Sequence, residues 1–305
     1  MRQLSVFLVC ILLLSLLSAC NAQGDGSGTV YTPSTTEEPT ATEAPPSDFD
    51  AVNTWGEDAT TIVCDGAKAE ITGPGVTFTE GTEGALLIDN PGTYVFSGTF
   101  LGTVQVTLKK TEQAQIVLNG VLIRSDETAA INITSADKVV ITLAPGTENT
   151  LSDGPNYAAE RGAEPNACLF SKDDLTINGS GSLRVLGNSN NGIGCKDDLR
   201  ILDGTITVDA SRNALKGNDS VRISGGDISV TVCSDAIKSD NEVDPEKGYV
   251  SITGGTLHLV CEDDGIQAVT AVTVKSPASV TVSVKDEAVN CPGDVQIDEG
   301  CLIEK

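Results

Sequence analysis

NALKGNDSVRISGGDISVTV, residues 213–232, contains one complete copy of a pattern that the chain writes several times. A short apolar word, Asn213–Gly217, comes first, followed by a polar pair. Val221 and Ile223 then alternate with polar neighbours. A glycine turn follows, and Ile228 and Val230 alternate again. Alternation with period two describes strands with one face turned inward and one turned outward. The position that opens each short word recurs at Ala167, Asn191, Asn213, Asp235, Asp264 and Glu287, in steps of 24, 22, 22, 29 and 23. The long step contains NEVDPEKGY, residues 241–249, a loop inserted between otherwise equal units. A period near 22 with three short strands per unit predicts a parallel β-solenoid, in which each coil buries its aliphatic side chains on the coils above and below.

The predicted inward ladder is Leu175, Leu199, Val221, Val250 and Val272. Upstream, the strands are longer and the repeat is looser, and residues 145–166 read as a long polar loop. One all-β domain is expected over residues 51–305. About eleven coils, ~4.8 Å apart, would form a rod on the order of 50 Å long. The pattern stops at Lys305 part-way through a unit, which suggests a coil without a polar cap.

The 305 residues carry a formal charge of −24. Such a surface repels phosphate backbones and excludes nucleic acid as the expected partner. Aromatic residues are only 4 % of the chain, too few for a broad sugar-stacking platform. Residues 1–19 read as a signal peptide: Arg2, a short apolar run from Leu4 to Leu17, and then Leu17–Ser18–Ala19–Cys20. This end resembles a bacterial lipoprotein signal, which implies cleavage before Cys20 and lipidation of its sulfur. The expected location is therefore outside the cell, with the membrane touched only through the lipid. Residues 20–50, including PSTTEEPTATEAPPS, cannot bury a core and read as a tether. Of the nine cysteines, Cys10 and Cys20 belong to the signal. Several of the rest fall at apolar phases, so buried thiols are expected rather than disulfides. With no CxxC and a single histidine, His258 at an outward phase, neither a zinc site nor a serine triad is expected.

The polar positions carry the functional signal. Asp173, Asp197 and Asp219 share one phase of the repeat, and Asn191, Asn213, Asp235 and Asp264 share another. In a stacked coil each column repels itself unless something compensates it. Ca²⁺, which takes six to eight hard oxygens at ~2.3–2.6 Å, would reverse that sign. Asp263, beside Asp264, adds a further carboxylate. The competing reading is that Asp and Asn bond turn amides and stack as ladders. Asp174 and Asp198 are expected to face solvent. Lys216 and Lys238 stack three residues after Asn213 and Asp235. They read either as charge balance for the acidic column or as contacts to an anionic sugar.

The words NACLFSKDDLTINGSGSLRV, NGIGCKDDLRI, NALKGNDSVRISGGDISV and EDDGIQA, in that order, resemble a family of bacterial surface lipoproteins with a carbohydrate-binding domain. The resemblance covers roughly residues 60–290. It implies a right-handed parallel β-helix of the pectin-lyase type that binds calcium and plant-cell-wall polysaccharide, cellulose or polygalacturonate. The chain is also similar to family 9 polysaccharide lyases, which set aspartates around Ca²⁺ with a lysine as base. Asp263 and Asp264 match their calcium word, but Gln267 stands where a further acid is expected. Three functions follow: a non-catalytic binder, a calcium-dependent lyase, and a structural or adhesive spacer.

Overall fold

The computed structural model describes residues 45–157, 162–232 and 234–305. Every regular element among them is a β-strand, and the strands join into one continuous sheet. That sheet winds as three columns of parallel strands. The first column carries the short words: Ile131–Ser135, Ala167–Ser171, Asn191–Cys195, Leu215–Gly217, Ile237–Lys238, Ile266–Gln267 and Val289–Asn290. The second runs from Lys138–Leu143 through Asp174–Asn178, Asp198–Ile201, Ser220–Ile223, Tyr249–Ile252 and Ala271–Val274 to Asp294–Ile297. The third runs from Glu148–Ser152, inside the stretch read as a polar loop, to Leu302–Glu304. Each strand pairs in parallel with its equivalent one coil away.

The pairing register matches the sequence period. Leu175 pairs with Leu199, Leu199 with Val221, Val221 with Val250 and Val250 with Val272, and all five are fully buried. The registry follows from burial, because a slip of one residue would turn every aliphatic side chain outward.

Upstream the same columns continue through longer strands. Gly92–Thr107 bends across three faces and pairs with Gln113–Arg124 and Ile131–Ser135. Gly98 makes its corner at φ +86°, where a Cβ would lie 2.3 Å from the Cys64 carbonyl oxygen. Counting these segments, the second column has ten rungs from Thr60–Gly66 to Asp294–Ile297. Nine steps of ~4.8 Å make a rod of about 43 Å, one coil shorter than the sequence spacing suggests. Two antiparallel strands, Lys68–Thr72 on Thr60–Gly66 and Val76–Thr79 on Gly84–Ile88, cover the N-terminal edge and deny it to other chains.

Two further features concern the boundaries and the cysteines. The stretch read as tether up to residue 50 ends earlier, because its last residues pack on the outer face of the second column. Asp50 is fully buried, and its carboxylate meets Lys138 Nζ at 2.8 and 3.0 Å and the Thr176 hydroxyl at 2.6 Å. This cover explains why Lys138–Leu143 is buried on both faces rather than alternately. Cys64, Cys168, Cys195, Cys261 and Cys301 are buried free thiols, and Cys291 is a half-buried one. Cys10, Cys20 and Cys233, with the signal and most of the tether, lie outside the described residues.

Candidate functional site

The corner before the first column is built from the Asn and Asp ladder. Each rung's side-chain oxygen accepts the backbone N–H of the next rung. Asn191 Oδ1 accepts from Asn213 at 3.3 Å, and Asn213 Oδ1 accepts from Asp235 at 3.2 Å. Asp235 Oδ1 accepts from Asp264 at 3.3 Å, and Asp264 Oδ1 accepts from Glu287 at 3.3 Å. The amide oxygens of Asn191 and Asn213 are therefore engaged in turn bonding, as the ladder reading expects. Asp235 and Asp264 each keep a second oxygen. Asp235 Oδ2 lies 2.8 Å from Lys238 Nζ, and Asp264 Oδ2 accepts from Asn290 Nδ2 at 2.7 Å. Lys238 also donates to Gln267 Oε1.

At this corner Asp235, Asp263 and Asp264 come together, with carboxylate oxygens within 4.8 Å of one another. Among the described residues no other group of three metal-ligating side chains does so. Asp235 and Asp264 are buried and Asp263 is exposed. Slight burial and the charges of Asp235, Asp264 and Asp286 push the Asp263 carboxyl up, against the pull of Lys238. Here the chain concentrates negative charge with one ammonium to offset it.

The second acidic column lies at the corner between the first and second columns. Asp173 is held by Lys110 and accepts the Ala136 N–H at 2.9 Å. Asp219 is held by Lys247 at 2.7 Å and by Asn241 at 2.6 Å. Lys247 and Asn241 both come from the NEVDPEKGY insertion, so the loop returns a cation to the column. Burial would raise the Asp219 carboxyl, but Lys247, Asn241 and Asn218 together hold it below the usual range. Asp197, between these two, has no such clamp. Burial and the neighbouring charges of Asp219, Asp173 and Asp174 push it up to about 6.

Asp174 and Asp198, expected in solvent, are half-buried instead. Asp198 accepts from Ser220 at 2.6 Å and from Arg222 Nη2 at 2.9 Å, and Asp174 lies 3.8 Å from Lys138. Their side chains run along the outer face of the second column, where successive rungs bring partners into reach. His258 is exposed, as its phase requires.

Beside the ladder runs a polar groove of about 690 Å³. Its coil side carries Lys196, Arg212, Lys216 and Lys238, with Asn190 and Asn213 between them. Its other side is formed by Gly162, Ala163 and Asn166. Lys196 is paired with Glu164 at 2.9 Å and Lys216 with Asp240 at 2.6 Å. Arg212 is exposed and makes no ion pair among the described residues. Asp240 also lines the groove, and with Lys238 held by Asp235 three of the four cations are offset by carboxylates, which leaves Arg212 as the cation without an ion pair among the described residues. Lys216 and Lys238 were legible as a stacked pair. Lys196 repeats Lys172 of the preceding unit but carried no groove signal of its own, and Arg212 has no counterpart in the neighbouring units.

The chain is thus a parallel β-coil with a polar groove along one side, and its fold alone does not name a ligand. The comparisons supply the family. The family model for carbohydrate-binding domain-containing proteins matches residues 82–290, and this chain belongs to that family. A carbohydrate-binding domain-containing protein of Acetivibrio thermocellus is 48 % identical over 224 residues, which are 72 % of this chain and 78 % of the relative. The solved structure of a polysaccharide lyase-like protein from C. thermocellum, a gadolinium derivative, superposes with a TM-score of 0.77 at 45 % identity. The match covers 81 % of this chain and 99 % of that one.

Proposed function

We propose that this protein is a non-catalytic, calcium-binding polysaccharide-binding protein, tethered outside a bacterial cell through lipid on Cys20. The groove at Lys196, Arg212, Lys216 and Lys238 carries this reading, since Arg212 is exposed in it without an ion pair among the described residues and three further cations lie beside it. Uronate carboxylates along polygalacturonate would meet Arg212 and Lys216, and the Asn190 and Asn166 amides would meet hydroxyls. Cellulose, which is neutral, would use the amides alone. The coil is read as right-handed, the hand that strand–crossover–parallel strand connections take in about 98 % of cases.

Calcium belongs at the Asp235, Asp263 and Asp264 corner. The donors there are hard oxygens, which suits Ca²⁺, and the Gln267 and Asn290 amide oxygens could complete the shell. Lys238 would have to leave Asp235. When bound, the ion would neutralise the corner and tie two consecutive rungs together. A lyase remains the second reading because of the lyase-like neighbour. Against it, the Lys238 nitrogen is already engaged by Asp235 Oδ2 and by Gln267 Oε1 within the corner.

Calorimetric titration with oligogalacturonate tests the binding reading. Arg212→Ala should weaken binding about tenfold, the order of one lost charge-assisted hydrogen bond. A wild-type protein that binds neither oligogalacturonate nor cello-oligosaccharide in millimolar calcium would overturn it. Appearance of unsaturated product absorbance on polygalacturonate would replace it with the lyase.

A further inference from the structure

Between Glu148–Ser152 and Ala167–Ser171, the described residues Gly162, Ala163 and Asn166 form the groove's outer side. Asp153, at the start of this passage, is only 2 % exposed. Its Oδ1 accepts the Asn188 N–H at 2.6 Å. Its Oδ2 lies 2.8 Å from the Tyr157 hydroxyl oxygen. The same hydroxyl oxygen lies 2.8 Å from the Ala167 carbonyl oxygen. A tyrosine hydroxyl has one proton to donate, while a carboxylate and a carbonyl have none. With Asp153 ionised, one of the two 2.8 Å contacts is therefore an approach of bare oxygens. With the proton on Asp153 Oδ2, the acid donates to Tyr157, Tyr157 donates to Ala167, and each contact holds a hydrogen. We propose that Asp153 is held as a neutral carboxylic acid, and that this two-bond relay through Tyr157 to Ala167 positions the outer side of the groove.

The surroundings agree with the geometry. The Tyr157 ring packs on Ala129, Ala167 and Phe170, so the relay sits in an apolar pocket. The titratable groups facing Asp153 are Tyr157 from the same passage and Cys168 from the adjoining strand. Among the described residues no lysine or arginine pairs with it. Burial pushes the Asp153 carboxyl up to about 6, against the bonds donated from Tyr157, Asn188 and Ser189. A bond donated by the acid to Tyr157 favours the neutral form and moves it further in the same direction. A raised carboxyl contributes stability that is full below its unfolded value of 3.8 and is lost as pH rises through about 6. Asp153 is thus a positioning residue, one that acts on the groove through Tyr157.

The test begins with the wild-type protein, whose carboxyl groups are followed by carbon NMR and infrared spectroscopy, with Asp153→Asn used for assignment. Asp153 should titrate at about 6 or above, with a carboxylic-acid signal still present where ordinary aspartates are ionised. Titration together with the ordinary aspartates overturns the proposal. Asp153→Asn keeps an acceptor for Asn188 and supplies an N–H to Tyr157. It should therefore protect the Gly162, Ala163, Glu164 and Asn166 amides from hydrogen exchange equally at about pH 5 and about pH 8. Wild type should lose protection at the higher value, and Tyr157→Phe should lose it at both. An Asp153→Asn protein that loses protection as Tyr157→Phe does also overturns it. If the variant does not fold, the wild-type titration decides. The positional role rests on the glycan reading of the groove, whereas the titration does not, so a groove that binds no glycan leaves the protonation result standing.

Discussion

Asp50 and Lys138 are 88 residues apart and form a closed ion pair on the outer face of the coil. Burial alone would raise the Asp50 carboxyl, but bonds from Lys138, Thr176 and Ser47 hold it down at about 2. Because the folded value lies below the unfolded 3.8, its stabilisation is complete above about 3.8 and is lost as pH falls through about 2. Asp50→Ala should destabilise the protein at neutral pH by about 3 kcal/mol, because it leaves the Lys138 ammonium buried without its partner. Denaturant melts at neutral pH check the magnitude, and the gap between wild type and variant should narrow as pH falls below 3.8. Replacing both Asp50 and Lys138 by apolar residues should cost much less, since no charge is then stranded.

At the scale of the element, the corner ladder sets the turn that opens each first-column strand. Asn213 joins its own rung to the Asp235 rung through Oδ1. Asn213→Ala should leave the buried Asp235 N–H unpaired at a cost of about 1–3 kcal/mol, while Asn213→Asp should keep the acceptor and cost less. Equal destabilisation by the two substitutions would show that the oxygen is not what holds the corner. The ladder also shows why so much of the coil was legible. Ala167, Asn191, Asn213, Asp235 and Asp264 recur at a near-constant step, and a parallel register converts equal phase directly into contact. The same reasoning placed Asp173, Asp197 and Asp219 one above another. It could not place Asp50 on Lys138, Tyr157 between Asp153 and Ala167, or Lys247 on Asp219. Those contacts join an irregular segment to the coil, and such segments leave no period in the sequence. For the same reason Arg212, which appears in one unit only, carried no signal until the groove was seen.

At the scale of the molecule, a charge of −24 on a rod of ten rungs opposes the folded state through self-repulsion. Added salt should stabilise the protein by screening, with most of the gain reached by about 0.15 M, where the Debye length falls to about 8 Å. Calcium should act differently. At the Asp235, Asp263 and Asp264 corner three carboxylates face one ammonium, so one ion bound there relieves repulsion that distant salt cannot reach. An ion that binds only the folded coil stabilises it by RT ln(1 + [L]/Kd), which is about 2.7 kcal/mol when the ion is present at about 100 times Kd. The comparison is thermal melting in calcium and in sodium chloride at equal ionic strength, with a chelator as the baseline. Wild type should melt higher in calcium than in matched sodium. Asp264→Asn, which keeps an oxygen ligand but removes a charge, should lose part of that difference. Asp264→Ala should lose nearly all of it, while both variants keep the response to sodium. Equal melting of wild type in the two salts would remove calcium from this corner. The three carboxylates would then be a turn-forming ladder whose charge is balanced by Lys238 alone.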